Sequence, residues 1–397
     1  MEPASAPRIA ALDLVRGVAV LGILAINIAG FAGPSAATDT PWLPHRPTPG
    51  DETEFAIVFL LFEGKMRAIF SMLFGASMLL FVEQAEATRR DGELLQLRRL
   101  FWLGIFGYLH YLLLWWGDIL FVYAVAGALA LPLRRLSDRS LVLLALAIFV
   151  LWHGWGMLDS LAPAAPPAQR LAAMLGRMHG EMAEARLGFR PMIAHKLASA
   201  PEWPMVMTAY TLGETLPLML IGMVLLRSGF FSGRWPRRRL AAIAVAGFGL
   251  GGALNLAELD WAWRRHFPAA TMPDLLAYWA APAHLLIALA YASALMLGAR
   301  RLLASGIGRR IEATGRVALS NYLGTSLVMC AIFYGWGLGL FDHVAPAHQP
   351  LFVLGAWIVM LGWSPAWLAR FRQGPLEWLW RSLTELRPMP MRRRTPQ

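Results

Sequence analysis

The sequence has little charge and almost no cysteine. Only 15% of its 397 residues are Asp, Glu, Lys or Arg, whereas soluble domains carry about 25%. The single cysteine, Cys330, lies inside an apolar run, so the chain has no disulfide framework, no CxxC pair and no thiolate metal site. A soluble chain of this length needs more charge to cover its surface. Redox chemistry on protein thiols is not expected.

Motifs of soluble enzymes are also missing. There is no GxxxxGK[ST], HExxH, GxSxG or DxDxDG sequence. No internal repeat is evident, which weakens an inverted-repeat transporter architecture without excluding it. The net charge of +11 is no nucleic-acid signature, because the basic residues form short clusters between apolar runs. We therefore expect no metal, no permanently bound cofactor and no nucleic-acid partner.

The sequence is rich in long apolar runs. Hydrophobic residues make up 57% of the chain, and the mean hydropathy is +0.50. Apolar runs of about 17 to 25 residues recur, which is the length that crosses a bilayer. They predict an all-α polytopic membrane helix bundle, one integral membrane domain over residues 1–397. We expect about ten transmembrane helices, near residues 12–31, 55–81, 100–116, 119–133, 141–158, 205–226, 240–256, 275–297, 317–338 and 351–367.

Arginines predict the orientation, since cytoplasmic loops retain positive charge. Alternate connections are basic, and so is the tail at 370–397, which an even number of helices places on the same side. Both ends are therefore expected in the cytoplasm. The arginines concerned are Arg89, Arg90, Arg98, Arg99, Arg134, Arg135, Arg139, Arg227, Arg234, Arg237, Arg238, Arg239, Arg300, Arg301, Arg309 and Arg310, with Arg370, Arg372, Arg381, Arg387, Arg392, Arg393 and Arg394 in the tail.

The outer connection at residues 159–204 is long and, unlike the other outer ones, basic. Its apolar residues recur at helical spacing, which predicts an amphipathic helix on the outer face. Either a lid over a site or a helix that simply covers the bundle fits this pattern. The apolar positions are Leu171, Met174, Leu175, Met178 and Met182.

The first apolar run also has the form of a signal peptide. Arg8 and Arg16 precede it, and Ser35-Ala36-Ala37 follows it as a small-residue cleavage site. Polar residues inside the run favour retention, because a discarded peptide does not need them.

Ionisable groups inside a bilayer are costly, so each one marks a candidate site. At a rise of about 1.5 Å per residue, five separate helices bring polar groups to one layer in the outer half of the membrane, with Asp118 just beyond it. This layer predicts a water-filled cavity that opens outward. Its members are Asn27, Glu63, Lys65, Arg67, His110, Glu214 and His284.

Structural alternatives exist for several of these residues. His284 follows Pro282 and fits a packing role as well as a functional one. Glu63 and Arg67, at i and i+4, could neutralise each other. On the cytoplasmic side, Asp13 and Arg16 are spaced to form an interfacial pair at i and i+3.

A second cluster opens the ninth run. Gly315-Arg316 and Ser320-Asn321-Tyr322 stand next to the arginines of the preceding loop, an arrangement that suits an anionic, phosphorylated ligand. Helix capping and the positive-inside bias explain the same residues without a ligand.

Several stretches resemble one family, and the likeness covers nearly the whole chain. They are Arg8-Ile-Ala-Ala-Leu-Asp13-Leu-Val-Arg16-Gly17 with Ile26-Asn27-Ile28, Gly64-Lys65 with Ile69-Phe70-Ser71-Met72-Leu73-Phe74-Gly75, Arg98-Arg99-Leu100 with His110 and Gly117-Asp118-Ile119-Leu120, Gly213-Glu214, Gly315-Arg316-Val-Ala-Leu-Ser-Asn321-Tyr322, Tyr334-Gly335-Trp336-Gly337-Leu338-Gly339, and Gly374-Pro375-Leu376-Glu377-Trp378-Leu379-Trp380. The chain resembles the YeiB family of bacterial membrane proteins, which carry the DUF418 domain. The resemblance implies a multi-pass protein of the bacterial cytoplasmic (inner) membrane.

The first helix of that family is similar in turn to that of membrane acyltransferases, including the heparan-glucosaminide N-acetyltransferase group. There an Arg…Asp-x-x-Arg-Gly helix ends in an Asn near the active site, and Asn27 matches that Asn. The catalytic His that closely follows it in that group is missing here, because His45 is too distant and lies in a proline-rich loop. His110 is then the substitute candidate.

These observations predict a membrane acyltransferase that moves an acyl group from a cytoplasmic acyl-CoA co-substrate to a hydroxyl or amine of a small molecule or glycan at the outer face. His110, tuned by Asp118 or Glu214, would be the general base. Asn27 with Lys65 or Arg67 would stabilise the oxyanion, and Glu63, Lys65, Arg67 and His284 would contact the acceptor. The expected donor-binding residues are Asp13, Arg16, Arg98, Arg99, Arg316 and Asn321.

Two other classes stay open. In a transporter or exporter, the same charges would line a substrate path on which His110 and Glu214 relay protons. A non-catalytic membrane scaffold is the third class. Membrane lipid is an expected partner in all three, and the sequence does not indicate an oligomeric state.

Overall fold

The computed structural model describes residues 9–393, and within them the protein is a helical bundle whose only β-type pairing is an isolated bridge between Phe371 and Arg392. Arg8 and Arg394, which entered the sequence arguments, lie outside the described residues. The first half contains α1 (Ala10–Ala32), α2 (Ala36–Asp39), α3 (Pro49–Leu61), α4 (Lys65–Ala87), α5 (Gly92–Leu113), α6 (Leu120–Leu133) and α7 (Asp138–Leu161).

The second half begins with the outer helices α8 (Pro167–Ala185) and α9 (Phe189–Ser199). It continues with α10 (Trp203–Arg227), α11 (Arg237–Ala246), a π-helical turn (Gly247–Gly251) and α12 (Gly252–Arg264). Then come α13 (Met272–Asp274), a second π-helical turn (Leu275–Trp279), α14 (Ala281–Ala304), α15 (Gly306–Arg316), α16 (Ala318–Phe333), a 3-10 turn (Pro346–His348), α17 (Gln349–Arg370) and α18 (Pro375–Glu385).

Each of the ten predicted apolar runs is helical over most of its length. Among the described residues, seven helices are long and apolar enough to cross a membrane, or eight if the bent pair α15–α16 is one span. The remaining two runs are α5 and α6, and α6 is a shorter apolar helix. The all-α, multi-pass membrane bundle is therefore confirmed, whereas the count of ten stays a prediction.

Peripheral helices carry large apolar side chains on the outside of the bundle. Such a surface is unfavourable in water but suits lipid. Large apolar residues between 65% and 74% exposed on α7, α11 and α17 are Leu143, Leu151, Trp155, Leu158, Leu161, Val245, Leu351 and Ile358. In contrast, α1 and α4 lie mostly inside the bundle.

The second predicted run is broken where its glycine indicated. Gly64 has a φ of +68°, a conformation that glycine adopts without strain, and it separates α3 from α4. The ninth run is preceded by α15, and the two helices meet at 83° between Arg316 and Val317. At that bend Gly315 packs against the backbone of Asp13, and Gly17 packs against the backbone of Ile311. The break and the bend place non-helical backbone inside the bundle, where protein atoms surround it.

Contacts between connections confirm that successive helices alternate in direction. At one end, Arg134 forms ion pairs with Glu86 and Glu93, both at 2.7 Å, and Arg90 pairs with Glu385. We call this end, which carries the basic connections, the inner end. At the other end, which we call the outer end, Trp115 Nε1 donates to Gly30 O (3.0 Å), Trp203 Nε1 donates to Trp116 O (3.0 Å), and Asp342 N donates to Ala32 O (2.7 Å).

The segment at 159–204 forms two helices, α8 and α9, rather than the single amphipathic helix expected. We call this pair the outer cap. Met174 and Met178 are buried, as the predicted apolar stripe requires. Glu181 accepts hydrogen bonds from the backbone (2.6 Å) and hydroxyl (2.7 Å) of Ser35, and Lys196 donates to Tyr111 O (2.9 Å) at the end of α5. The outer cap is therefore attached to the bundle at several points.

The described part of the tail is folded onto the bundle rather than free in solution. It contains α18, whose Trp380 donates from Nε1 to Arg99 O at 2.8 Å. Arg90 and Glu385 tie the end of α18 to the α4–α5 connection. The tail is basic as predicted, but half-buried aromatic residues of α18 pack it against α5 and α16.

Candidate active site

His110 and Asp118 form a buried pair at the outer end of α5. His110 Nδ1 lies 2.9 Å from Asp118 Oδ1, and both side chains are almost inaccessible to solvent. Asp118 Oδ2 accepts the backbone N–H of Phe121 (2.8 Å) in the first turn of α6, which fixes the carboxylate. His110 Nε2 is buried without a hydrogen-bond partner among the described residues. With the proton on Nδ1, Nε2 carries a free lone pair.

A small cavity and a tyrosine lie beside this pair. The Tyr322 ring packs 5.2 Å from the His110 ring, centroid to centroid, and its hydroxyl faces Gly117 O at 3.4 Å. Tyr322 and Asn27 line the same small cavity, between α1, α16 and α17. The structure thus brings His110, Asp118 and Asn27 into one region, with Tyr322 between the imidazole and the cavity.

Arg67, Glu214 and Glu63 form a separate ionic group. Arg67 contacts Glu214 Oε2 at 3.1 Å and Glu63 Oε1 at 3.9 Å. The expected i, i+4 pair of Glu63 and Arg67 is therefore present, but the partner at hydrogen-bonding distance is Glu214 on α10. Glu214 is engaged with Arg67, whereas the carboxylate that orients His110 is Asp118.

Lys65 forms hydrogen bonds at the break between α3 and α4. Its ammonium donates to Phe59 O (2.5 Å), a carbonyl in the last turn of α3, and to Asn255 Oδ1 (2.9 Å) on α12. The side chain is fully buried. The role of Lys65 is structural, because it donates to a carbonyl that the helix break leaves without an intrahelical partner. An oxyanion would have to displace these hydrogen bonds.

His284 packs directly on Gly64. A Cβ at Gly64 would collide with the imidazole, so the glycine is needed for close approach as well as for its φ. His284 Nε2 and His153 Nε2 are both buried without a partner among the described residues, while His153 Nδ1 faces Ala277 O at 3.1 Å. His284 lies on the side of Arg67 and Lys65, not beside His110.

A basic cluster lies at the inner end, where α1, α5 and α18 meet. Arg99 is stacked between the rings of Phe81 (4.1 Å) and Trp380 (4.3 Å), and the positive charges of Arg16 and Arg381 repel it electrostatically. Arg16 also donates to Asp13 (2.7 Å), the i, i+3 pair that the sequence predicted, and to Ser77 (2.7 Å). We call Arg16, Arg99 and Arg381, together with Arg98, which precedes Arg99 on α5, the inner arginine cluster. Like charges brought together in this way favour an anion.

The ninth-run residues lie differently from the donor-site expectation. Asn321 uses both ends of its amide inside the protein: Nδ2 donates to Thr314 O and Ser364 Oγ, and Oδ1 accepts from Trp363 Nε1. Arg316 lies 3.8 Å from Glu312. Asn321 therefore ties α15, α16 and α17 together and has no free polar atom to offer a ligand.

The N-terminus of α16 is occupied by a carboxylate of the chain itself. Glu377 of α18 accepts the backbone N–H groups of Leu319 (2.7 Å) and Ser320 (3.1 Å) and the Ser320 hydroxyl (2.5 Å). Burial raises the pKa of Glu377, and these hydrogen bonds oppose the rise. An anionic group does sit at this helix start, as the sequence suggested, but it is intramolecular.

An open cleft of about 560 Å³ lies at the outer end, between α1, α3 and the start of α17. Thr38, Glu54, Glu63 and Gln349 supply its polar lining. Asp39 lies close by, and burial, followed by the charge of Glu63, raises its pKa to about 7. This cleft is larger than the cavity at Asn27 and lies on the other side of α1. In the described part of the chain, no three His, Cys, Asp or Glu side chains are arranged to hold a metal ion.

Sequence reasoning missed several polar residues of these sites. Tyr322 was placed in the cluster that opens the ninth run and suits an anionic ligand, although it packs on His110. Asn255 and His153 each stand alone in an apolar run, a signal that the depth calculation could have used. Glu377 binds backbone groups 57 and 58 residues away in sequence, a contact that no helical periodicity reveals. Gln349 has a nearby carbonyl, Val344 O, as its partner, and its place in the cleft wall depends on the fold.

Comparisons with known proteins find a family model and several relatives that this chain resembles. A family model described as "Protein of unknown function (DUF418)" matches residues 225–387. The chain is 32% identical over 389 residues to "Uncharacterized protein YeiB" of Escherichia coli (strain K12), a match that covers 94% of this chain and 95% of that protein. It is 28% identical over 404 residues to "Uncharacterized protein YxaH" of Bacillus subtilis (strain 168), which covers 98% of this chain and 97% of that protein.

A third relative is the "Uncharacterized 39.9 kDa protein in amylase 3'region" of Bacillus acidopullulyticus. It is 29% identical over 395 residues, which covers 97% of this chain and 96% of the relative. No solved structure matches the chain. The match to the family model includes Tyr322 and Glu377, whereas His110 and Asp118 lie before it.

Proposed function

The chain belongs to the YeiB-like DUF418 family of membrane proteins, and we propose that it is a membrane acyltransferase that uses His110 as its general base. The observation that carries the proposal is the buried His110–Asp118 pair with a free Nε2. A carboxylate on Nδ1 fixes the tautomer and stabilises the imidazolium that forms when Nε2 takes a proton. The same arrangement serves acyl transfer on many unrelated folds.

The acceptor is a hydroxyl or amine that reaches Nε2 by way of the cavity at Asn27. Tyr322 stands between this cavity and the imidazole, so its ring must rotate, or its hydroxyl must relay the proton. The Asn27 amide is the donor available to the oxyanion on the cavity side. These assignments supersede Lys65, whose ammonium donates to Phe59 O and Asn255, and Arg67, whose guanidinium forms an ion pair with Glu214.

The donor is an acyl-CoA that enters from the inner end. We assign its phosphates to the inner arginine cluster, because Arg16, Arg98, Arg99 and Arg381 supply positive charge and Trp380 supplies an aromatic surface. Arg99 and His110 are 11 residues apart on α5, about 16 Å along the helix axis at the usual rise. An extended pantetheine arm can reach over such a distance.

In the reaction, His110 Nε2 removes the proton of the acceptor O–H or N–H while the acceptor attacks the thioester carbonyl. The C–S bond then breaks, the CoA thiolate leaves, and the imidazolium returns the proton to the sulfur. Asp118 keeps its charge throughout and balances the imidazolium. The products are the acylated acceptor and CoA.

The test uses native membranes from cells that express the protein, supplied with radiolabelled acetyl-, butyryl- or palmitoyl-CoA. Label is then measured in the lipid, glycan and small-molecule fractions. We expect transfer that falls about 100-fold or more in His110→Ala, the usual range for loss of a general base, and falls strongly in Asp118→Asn. His179→Ala, at an exposed site on α8, should match the wild type. Full transfer in His110→Ala, or no transfer from any thioester, contradicts the proposal.

A transporter is the second candidate, and one observation favours it. Glu63 lines the outer cleft and also pairs with Arg67, which continues the charged path inward to Glu214. Proton-coupled uptake into proteoliposomes without any thioester requirement would support that candidate. We place the protein in the bacterial cytoplasmic membrane in either case, since both functions join the two sides of one bilayer.

A further inference from the structure

The outer cleft offers hydrogen-bond acceptors and no charged donors. Its charged lining residues are Glu54 on α3 and Glu63 at the helix break, and no Lys or Arg is among them. Glu63 lies 3.9 Å from Arg67, outside hydrogen-bonding distance. The cleft encloses about 560 Å³ of space, part of which is open to solvent.

Neighbouring acidic residues of α3 show by contrast that Glu54 is unusual. Asp51 accepts from Thr48 and from Ala347 N (2.9 Å), and Glu52 accepts from Trp42 Nε1 (3.1 Å). No described group donates a hydrogen bond to Glu54, although its side chain is partly buried in the cleft wall. The carboxylates of α3 that hold the fold together are thus different from the one that faces the cleft.

Gln349 provides independent evidence for a ligand. It is the first residue of α17, its side chain is only 4% exposed, and it lines the cleft. Its Oε1 is buried without a partner among the described residues, while its Nε2 points to Val344 O at 3.5 Å. A buried acceptor left without a donor is unfavourable, so Gln349 Oε1 offers a defined place for the donor group of a ligand.

The rest of the cleft is apolar and partly aromatic. Phe55 and Phe59 of α3 stand opposite Ile26 of α1. Phe59 already lies 5.2 Å from the ammonium of Lys65, so aromatic faces in this region are compatible with a cation. A ligand that fills the cleft therefore combines N–H donors and positive charge with a compact apolar body.

We propose that the outer cleft binds an organic ammonium ion, a primary or secondary amine whose N–H groups bond Glu54, Glu63 and Gln349 Oε1 while its body packs on Phe55 and Phe59. This site is distinct from the His110 pair, and the proposal does not depend on acyl transfer. The ammonium could belong to a soluble amine or to an aminophospholipid headgroup. Because no basic side chain lines the cleft to meet a phosphate, the soluble amine fits better.

The test measures calorimetric binding to the full chain in nanodiscs of phosphatidylcholine. The probes are benzylamine and ethanolamine, each paired with its neutral counterpart, benzyl alcohol and ethylene glycol. We expect each amine to bind at least tenfold more tightly than its counterpart. Glu54→Gln should weaken amine binding about tenfold, whereas Glu52→Gln, which keeps an acceptor for Trp42 outside the cleft, should leave it unchanged.

A gain-of-affinity variant covers the case in which Glu54→Gln does not fold. Gln349→Glu adds a charge where a neutral acceptor stands, and it should tighten benzylamine binding severalfold. In a parallel arm, phosphatidylethanolamine that co-purifies with the wild type but not with Glu54→Gln would assign the ammonium to a lipid. Equal affinity for benzylamine and benzyl alcohol, or amine binding unchanged by both Glu54→Gln and Gln349→Glu, overturns the proposal.

Discussion

Single charged residues at the outer end respond to groups that are distant in sequence. Asp39, at the end of α2, faces Glu63 at the helix break and both Glu181 and Arg177 on α8. Burial is the main cause that raises its pKa from 3.8 to about 7, and the two glutamates add to it. The folded protein therefore holds a proton on Asp39 at a pH where the unfolded chain has lost it.

This shift predicts how stability depends on pH. Between about pH 4 and 7 the folded state binds more protons than the unfolded state, so the free energy of unfolding contributed by Asp39 falls as pH rises through this window. Asp39→Asn should flatten the decline. Thermal unfolding in detergent across the window measures it, with exposed Asp260→Asn as the control. A slope unchanged by Asp39→Asn would show that the carboxyl titrates normally.

Spacing along the sequence predicted some of the contacts between polar side chains, but it could not predict others. Asp13 with Arg16, and Glu63 with Arg67, follow from helical periodicity, and Asp118 was one of the two carboxylates expected to tune His110. Lys65 with Asn255 joins positions 190 residues apart, and no periodicity reveals such a contact. Several residues of the predicted polar layer lie in separate groups in the structure. Their depth along each helix was predicted, but depth does not determine the direction in which a side chain leaves its helix.

Glycines allow two helices of this bundle to approach each other closely. At the crossing of α4 and α10, a Cβ at Gly222 would collide with the backbone carbonyl of Met72, and one at Gly75 would collide with that of Met219. The two glycines act reciprocally, so the helix backbones meet without intervening side chains. By contrast, Gly355 on α17 has open space where a Cβ would lie.

Two alanine substitutions should therefore have opposite effects. Gly222→Ala forces α4 and α10 apart and should cost about 1 to 3 kcal/mol of stability, as overpacking does. The Cβ added by Gly355→Ala contacts no other atom, so this substitution should be neutral or should stabilise the protein by up to about 1 kcal/mol, through helix propensity alone. Thermal unfolding of both variants in one detergent is the measurement. A loss of the same size in both would mean that the crossing is not close-packed.

Apolar runs predicted where helices lie, but not how they are interrupted. The break at Gly64 was marked by its residue type. The 83° bend after Arg316 was not, since α15 is polar and short, and its packing on α1 depends on Gly17 and Gly315 from distant parts of the chain. The π-helical turns at Gly247–Gly251 and Leu275–Trp279 likewise leave no clear trace in hydropathy.

The molecule as a whole has two chemically different ends. Arginine-bearing connections gather with Glu86, Glu93 and Glu385 at the inner end. The outer cap, the outer cleft and the His110 pair lie toward the outer end. Charge asymmetry in the sequence predicted this division, whereas the docking of α18 and of α9 depended on tertiary contacts such as those of Trp380 and Lys196.

Orientation in the membrane can be read from cysteine accessibility. His179→Cys on α8 should react with a membrane-impermeant maleimide in intact spheroplasts, and Arg139→Cys, at the start of α7, should react only after lysis. Both positions are exposed, and Cys330 is fully buried, so the native thiol should stay unlabelled and serves as the internal control. Labelling in the reverse order would place the amino and carboxyl ends outside the cytoplasm.

In the proposed reaction, a thioester donor spans the interior from the inner arginine cluster to His110. A cryo-electron microscopy structure of the protein with S-ethyl-CoA, a thioether that cannot transfer its ethyl group, tests this placement. We predict density for the phosphates at Arg16, Arg98, Arg99 and Arg381, and for the sulfur beside Tyr322 within reach of His110 Nε2. Donor density elsewhere, or none at saturating S-ethyl-CoA, would contradict the account.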